Sequence, residues 1–311
     1  MKNADLVSIH DLSREEMTEI LDLAARIKRD PGAFAATLPN RTLAMIFEKP
    51  SLRTRVSFEA GMTQLGGHAI YLGPADISMG RRESVADIAR TLSGMADGIM
   101  ARTFSHQAII DLAKHATIPV INGLSDHSHP CQALADFLTI REVLGRTEGI
   151  TLAYVGDGNN VTHSLMYAAA KLGANVRVAT PPGYAPDPEV VRRARADAAG
   201  SGATLAIGHD VDEAVQGADV VYTDTWASMG QEAEHDARVV VFRPFQVNAR
   251  VMARAAKGAM FLHCLPAHRG EEVTDDVIES GASAVFRQAA NRLHAQKAVL
   301  VLLMGGQAGI R

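Results

Sequence analysis

Apolar and polar positions along the chain fall into two rhythms separated by a polar break. Short apolar runs that read as buried strands occur near residues 42–47, 68–72, 98–102 and 118–121. Helix-like segments lie near 54–65, 84–95, 105–115 and 131–144; in the first, Val56, Phe58, Met62 and Leu65 recur on roughly one face. The break, Gly145-Arg146-Thr147-Glu148-Gly149, interrupts the pattern. A second series follows, with strands near 151–155, 175–179, 203–207, 219–223 and 259–263 and helices between most of them. Upstream of both, residues 5–29 contain an amphipathic helix. Ser13 is its N-cap, Glu15 and Glu16 lie in the first turn, and Ile20, Leu23 and Ile27 mark a face. The last stretch, about 287–304, reads as a long helix. The pattern predicts an α/β protein of two domains, each a mainly parallel sheet flanked by helices, with residues 1–145 in the first and 146–286 in the second. The Ala- and Gly-rich stretch 194–203 ends a surface helix, and no repeat or low-complexity tract interrupts the scheme.

Composition narrows the function classes. The 311 residues are 47% hydrophobic, ample for two cores, and carry a net charge of −4 with both signs mixed along the chain. That balance argues against non-specific nucleic-acid binding. The longest apolar run, near Ala298 to Met304, is far too short to span a membrane. The N-terminus carries polar and acidic residues rather than a basic start and an apolar core, so no secretory signal is expected. Two cysteines, Cys131 and Cys264, make a disulfide framework unlikely to be the organising principle and fit a reducing cytoplasm.

Candidate chemistry gathers at the ends of the predicted strands. Ser51-Leu52-Arg53-Thr54-Arg55 sits where a strand gives way to a helix, and free backbone N–H groups there suit an anion. Ser51 and Thr54 add hydroxyls, and Arg53 and Arg55 add forked charge; the alternative is a Ser cap beside two solvated arginines. Arg102 ends another strand and offers a second anion clamp. His129-Pro130-Cys131-Gln132 lies at a loop–helix junction, where His129 can donate to a carbonyl oxygen and Gln132 can both donate to and accept from a ligand amide. Cys131 also reads as a small buried residue. Gly156-Asp157-Gly158-Asn159-Asn160 imitates a dinucleotide turn, but Asn160-Val161 stands where the third glycine belongs, which argues against a nicotinamide site. Asn160 then either holds an amino-acid headgroup or caps a helix. Asp224, at a strand end, suits an α-ammonium group, and Ser228 to Gly230 form a candidate lid. Cys264 sits at the sheet's ligand edge, where positive charge would lower its thiol pKa. The four histidines within 106–129 match no standard metal spacing, and His263, Cys264 and His268 lack an evident fourth ligand, so no metal is expected.

Several of these motifs together resemble the aspartate/ornithine carbamoyltransferase family, and within it the branch acting on ornithine. Ser51-Leu52-Arg53-Thr54-Arg55 is similar to that family's Ser-Thr-Arg-Thr-Arg phosphate loop, with Leu52 as a departure. His129-Pro130-Cys131-Gln132, Asp224-x-Trp226-x-Ser228-Met229-Gly230 and His263-Cys264-Leu265-Pro266 follow in the family's order, over essentially the whole chain. The resemblance implies transfer of a carbamoyl group from carbamoyl phosphate to the side-chain amine of L-ornithine, giving L-citrulline and phosphate, on the biosynthetic side of arginine metabolism and without a cofactor. It assigns carbamoyl phosphate to Ser51, Leu52, Arg53, Thr54, Ser78 and Arg102, to His129, Pro130, Cys131 and Gln132, and to Cys264, Leu265 and Arg292. It assigns ornithine to Asn160, Asp224, Ser228 and Met229, with Arg102, His129, Asp224 and Cys264 as the catalytic set. It further implies that the C-terminal helix packs back onto the first domain, that the chain forms a homotrimer or a multiple of one, and that the loop Tyr71 to Glu83 reaches a neighbouring subunit. Ser78 and Arg82 depart from the family there. Rival readings are a sister enzyme acting on aspartate, putrescine or an acylated ornithine, a paralogue that binds without turnover, and a nicotinamide-dependent oxidoreductase.

Overall fold

The computed structural model describes residues 4–80, 82–227 and 230–305. In chain order the elements are α1 (Arg14–Arg29), β1 (Thr42–Phe47), α2 (Leu52–Gln64), β2 (His68–Leu72), α3 (Val85–Ser93), β3 (Gly98–Arg102), α4 (His106–His115), β4 (Val120–Leu124) and α5 (Pro130–Leu144). There follow β5 (Thr151–Val155), α6 (Asn160–Leu172), β6 (Asn175–Ala179), α7 (Pro188–Ser201), β7 (Leu205–Gly208), α8 (Val211–Val215), β8 (Val220–Thr223), α9 (His235–Phe242), α10 (Ala249–Met252), β9 (Met260–His263), α11 (Asp275–Ile278) and α12 (Val285–Met304). The chain forms two compact units, one up to Leu138 and again from Ala290, the other from Thr139 to Ala289.

The first unit is built on a four-stranded parallel sheet in the order β2-β1-β3-β4. After β1 the chain turns to one side to make β2, then crosses to the other side of β1 to make β3. That reversal opens a crevice at the C-terminal ends of β1 and β3, the place where open parallel sheets accept ligands. Register pairs Phe47 with Arg102, so both strands end together at the crevice. A core of Ile46, Ile88, Ile99, Ala101, Ile109 and Leu112 packs α3 and α4 on the sheet. The strand expected at 118–121 begins at Val120, because Pro119 has no N–H to give a ladder. Its outer edge is covered by the N-terminal segment, where Leu6 N donates to Val120 O and Asn122 N to Leu6 O.

Helix α1 begins as expected: the Ser13 side chain accepts from Glu16 N, and the Glu16 carboxylate accepts from Ser13 N. The end of α12 packs against α2 as the resemblance implied. A Cβ on Gly61 of α2 would meet Lys297 Cγ at 3.3 Å and the Leu293 and Leu300 side chains at 3.7 Å, so glycine permits this close approach.

The second unit carries a five-stranded parallel sheet, β7-β6-β5-β8-β9. Its strand order reverses between β5 and β8, which places a second crevice beside Gly156 and Asp224. Helix α6 is buried along almost its whole length, with Ala168, Ala169 and Ala170 small enough to let α7 lie close. The opposite face is filled by Val155, Val221, Phe245, Val251 and Phe261. Among the described residues no helix is long and apolar enough to cross a membrane.

Candidate active site

In the first unit, the crevice between β1 and β3 collects cationic and hydroxyl groups. Ser51 is the N-cap of α2, its backbone extended and its Oγ accepting from Thr54 N at 3.3 Å. Ser51 Oγ also donates to Thr54 Oγ1 at 3.1 Å. Arg53 lies in that first helical turn, and Arg102 is almost fully buried at the end of β3. His129 immediately precedes α5, which Pro130 opens, and one turn along it Gln132 is fully buried. Arg292, on α12, donates from Nη1 to Gln132 Oε1 at 2.7 Å and from Nη2 to Thr54 Oγ1 at 3.3 Å. Four separate elements therefore meet here.

These charges act on His129. Burial first, then the guanidinium groups of Arg292, Arg102 and Arg53, hold its pKa well below the usual imidazole value. His129 is a neutral imidazole at neutral pH, able to donate one hydrogen bond while its cationic surroundings draw an anion. Gln132 keeps capacity for a ligand: its Nε2 gives one of two hydrogens to Asp136 Oδ1 at 2.8 Å, and its Oε1 uses one of two lone pairs on Arg292.

The side chains of several other residues named from the sequence have different surroundings. Arg55 turns away, pairing with Glu59 at 2.9 Å and lying 3.9 Å over the Tyr71 ring. Leu52 is exposed at the start of α2. Cys131 is fully buried with Sγ toward Asn122 O at 3.6 Å, and burial pushes its thiol up to about 11. Ser78 is exposed on the loop after β2, where its carbonyl accepts from Arg82 N. Arg81 lies outside the described residues. Of the four histidines within 106–129, His106 and His127 stack at 5.1 Å, and His115 bonds Asp111 O, so they serve local structure.

In the second unit, Asp224 follows β8 and is held on both oxygens. Oδ1 accepts from Cys264 Sγ at 2.9 Å and from Thr225 N at 2.8 Å; Oδ2 accepts from Asn159 Nδ2 at 2.9 Å. Cys264, directly after β9, is half-buried. The group hydrogen-bonded to its thiol is thus a carboxylate, where the sequence reading considered positive charge. Burial, and then the Asp224 charge, raise the neighbouring Tyr154 phenol well above its usual value.

Sequence reasoning treated Asn160 as a possible cap, but the cap of α6 is Asn159, whose Oδ1 accepts from Val161 N and Thr162 N. Asn160 is the first helical residue and half-buried. The Gly158 position has its own cause. A Cβ there would lie 2.3 Å from Pro186 N and 2.6 Å from Tyr184 O, so the glycine allows the chain to cross itself. Leu265 adopts φ +56°, and its N–H donates to His263 Nδ1 at 2.9 Å. With Nδ1 accepting, His263 carries its proton on Nε2 and donates it to Glu272 Oε1 at 3.0 Å. Both ring nitrogens of His263 are therefore occupied by the fold. Ser228 and Met229 lie outside the described residues.

Sequence reasoning passed over Asn159, Glu272 and Arg238. Arg238, nearly buried on α9, donates to Asp157 Oδ2 at 2.9 Å and Trp226 O at 3.0 Å, pinning the turn after β5 to the segment after β8. Only Asn159 had a legible signal, as the Asn preceding a helical pattern.

Comparisons with known proteins extend over both units. Residues 4–142 match the family model described as the carbamoyl-P binding domain of aspartate/ornithine carbamoyltransferase, and residues 148–303 match that of its Asp/Orn binding domain. A relative from Thermococcus kodakarensis named ornithine carbamoyltransferase is 58% identical, over 97% of this chain and 96% of its own. One from Pyrococcus furiosus, named ornithine carbamoyltransferase, anabolic, is also 58% identical over the same shares. The solved structure of ornithine carbamoyltransferase from Pyrococcus furiosus superposes with a TM-score of 0.95 at 57% identity, covering 97% of each chain.

Proposed function

The chain belongs to the aspartate/ornithine carbamoyltransferase family, and we propose that it transfers the carbamoyl group of carbamoyl phosphate to the side-chain amine of L-ornithine. The products are L-citrulline and phosphate, and the direction is biosynthetic, as the name of the Pyrococcus furiosus relative supports. The observation that carries this reading is the convergence of Arg53, Arg102 and Arg292 on a neutral His129. An anion that also presents a carbonyl fits those groups together.

In this reading Ser51, Arg53, Thr54, Arg102 and Arg292 hold the phosphate and stabilise the charge it takes as it leaves. His129 donates to the carbamoyl oxygen, and the remaining N–H and lone pair of Gln132 orient the NH₂ group. Leu52, Pro130 and Cys131 contribute as the backbone of the loop and helix start. On the second unit, Cys264 receives the ornithine side-chain amine, and Asp224, hydrogen-bonded to Cys264, helps to position ornithine. Leu265 contributes backbone polarity to the carbamoyl nitrogen, and Asn160, Ser228 and Met229 hold the amino-acid end. The ammonium must lose a proton before its nitrogen attacks the carbamoyl carbon; the C–O bond to phosphate then breaks, and a second proton passes from the nitrogen to the departing phosphate. A free amine of this type titrates near ~10.4, so the rate rises with pH above neutrality. No cofactor enters this balance.

Self-assembly as a homotrimer, or a multiple of one, belongs to the same proposal, as does a cytoplasmic setting. Leu52 and Val56 are exposed one turn apart on α2, and Ile70 is exposed on edge strand β2, an apolar set that a second copy would cover. The exposure of Ser78 suits a residue that serves a neighbouring subunit.

Carbamoyl transfer with ornithine, aspartate, putrescine and N-acetylornithine side by side, with an Arg53→Ala control, tests the reading. Turnover with ornithine alone, rising through alkaline pH and lost in the control, is the expected result. Turnover with another amine moves the specificity, and carbamoyl phosphate binding without turnover of any amine overturns the activity.

A further inference from the structure

A second cluster of ligating side chains lies in the second unit, apart from Asp224 and Cys264. His235 opens α9, and His268, Glu271 and Glu272 sit on the loop between β9 and α11. The ligand atoms of His268, Glu271 and Glu272 all fall within 4.8 Å of one another. His235 Nε2 is 3.1 Å from Glu271 Oε2, and His268 Nδ1 is 4.0 Å from Glu271 Oε2 and 3.8 Å from Glu272 Oε2. Ligands at the usual zinc distances stand about 3.3 Å apart in a tetrahedral site, close to the His235–Glu271 separation and shorter than the two separations from His268.

An independent observation points to a cation-binding role. Glu272 is fully buried, and its Oε2 has no hydrogen-bond partner, although its Oε1 accepts from both His263 Nε2 and His268 N. A buried carboxylate oxygen without a partner is unfavourable unless something fills the place it faces, and the atom it faces is His268 Nδ1. The rest of the cluster is oriented in advance. Asp236 Oδ1 lies 3.3 Å from His235 Nδ1, the kind of carboxylate support that fixes a metal-bound imidazole. Gln246 Nε2 donates to both Gly270 O and Glu271 O, and Gly270 N donates to Val273 O, so the loop is braced against its own backbone.

We propose that His235, His268, Glu271 and Glu272 form a binding site for a divalent transition-metal ion of the zinc class, tying the start of α9 to the loop after β9. The donor set, two imidazoles and two carboxylates, suits zinc better than calcium or magnesium, which favour oxygen alone. Through Glu272 the ion would rest one side chain away from His263, and hence from the Leu265 turn. His268 was set with His263 and Cys264, whereas its partners are two glutamates and a histidine from a helix more than thirty positions upstream, as the 36-residue separation of His235 and Glu271 records.

The test uses the full chain stripped by chelator, titrated with Zn²⁺ by calorimetry and with Co²⁺ by absorption spectroscopy. One saturable equivalent is expected, retained in Cys264→Ser and weakened at least about tenfold in His235→Ala and in Glu271→Gln. Both substituted side chains are partly exposed, and urea unfolding of each metal-free variant verifies that it folds. Absence of saturable binding overturns the proposal. So does binding that survives His235→Ala and Glu271→Gln but disappears in Cys264→Ser with loss of a cobalt–thiolate band, which would place the ion on Asp224 and Cys264. Because the readout is binding, the result is independent of whether the chain carbamoylates ornithine.

Discussion

Burial, reinforced by three guanidinium groups, keeps His129 neutral, and burial acts likewise on a second histidine nearby in the chain. Burial, and then the charge of His127, lower His106 from 6.5 to about 4, with Asp126 opposing. Both histidines are neutral in the folded protein at pH values where the unfolded chain begins to protonate them. The unfolded state therefore binds more protons below pH 6.5, and stability falls as pH drops from 6.5 toward 4. Urea midpoints at pH 7.5 and pH 5 measure this: the drop is expected to shrink in His106→Gln, and an unchanged drop would assign the acid sensitivity to other groups. The charge of His129 was not legible in the sequence, because Arg53, Arg102 and Arg292 come from three distant segments and only the fold brings them together.

At the scale of elements, strand ends carry nearly all of the candidate chemistry. Phe47 with Arg102, and Val155 with Thr223, finish neighbouring strands at the two reversals of strand order. Periodicity showed the strands and the polar loops at their ends, which is why Ser51, Arg102, Asp224 and Cys264 could be named beforehand. Side-chain pairings across those ends have no local signature, so the donor from Asn159 to Asp224 and the buried Glu272 went unread. Asn159 couples two elements, capping α6 with Oδ1 and holding Asp224 with Nδ2. Asn159→Asp keeps the cap acceptor but sets a carboxylate against Asp224. The KM for ornithine is expected to rise about tenfold or more, the loss of one charge-assisted bond with added repulsion. Carbamoyl phosphate binding and thermal stability should stay near wild type; an unchanged ornithine KM would make Asn159 a cap alone.

For the molecule as a whole, the exposed apolar set on α2 and β2 bears on assembly. Val56→Glu places charge on that surface without touching a core, since Val56 is 53% exposed. Light scattering is expected to show a larger species for the wild type and a shift to a smaller one for the variant; equal masses would remove these residues from any interface. The division into units has a further consequence, in time rather than space. Arg292 lies 160 residues after Gln132, the group it bonds. A ribosome adding ~5–20 residues each second needs about 10–30 s to cover that distance. Throughout that interval the nascent chain carries the loop at Ser51 to Arg53 without its last cation, and Gly61 without the Leu293 and Leu300 side chains that later pack on it. The cationic crevice, encoded largely in the opening segment, is finished only when the closing helix has been synthesised.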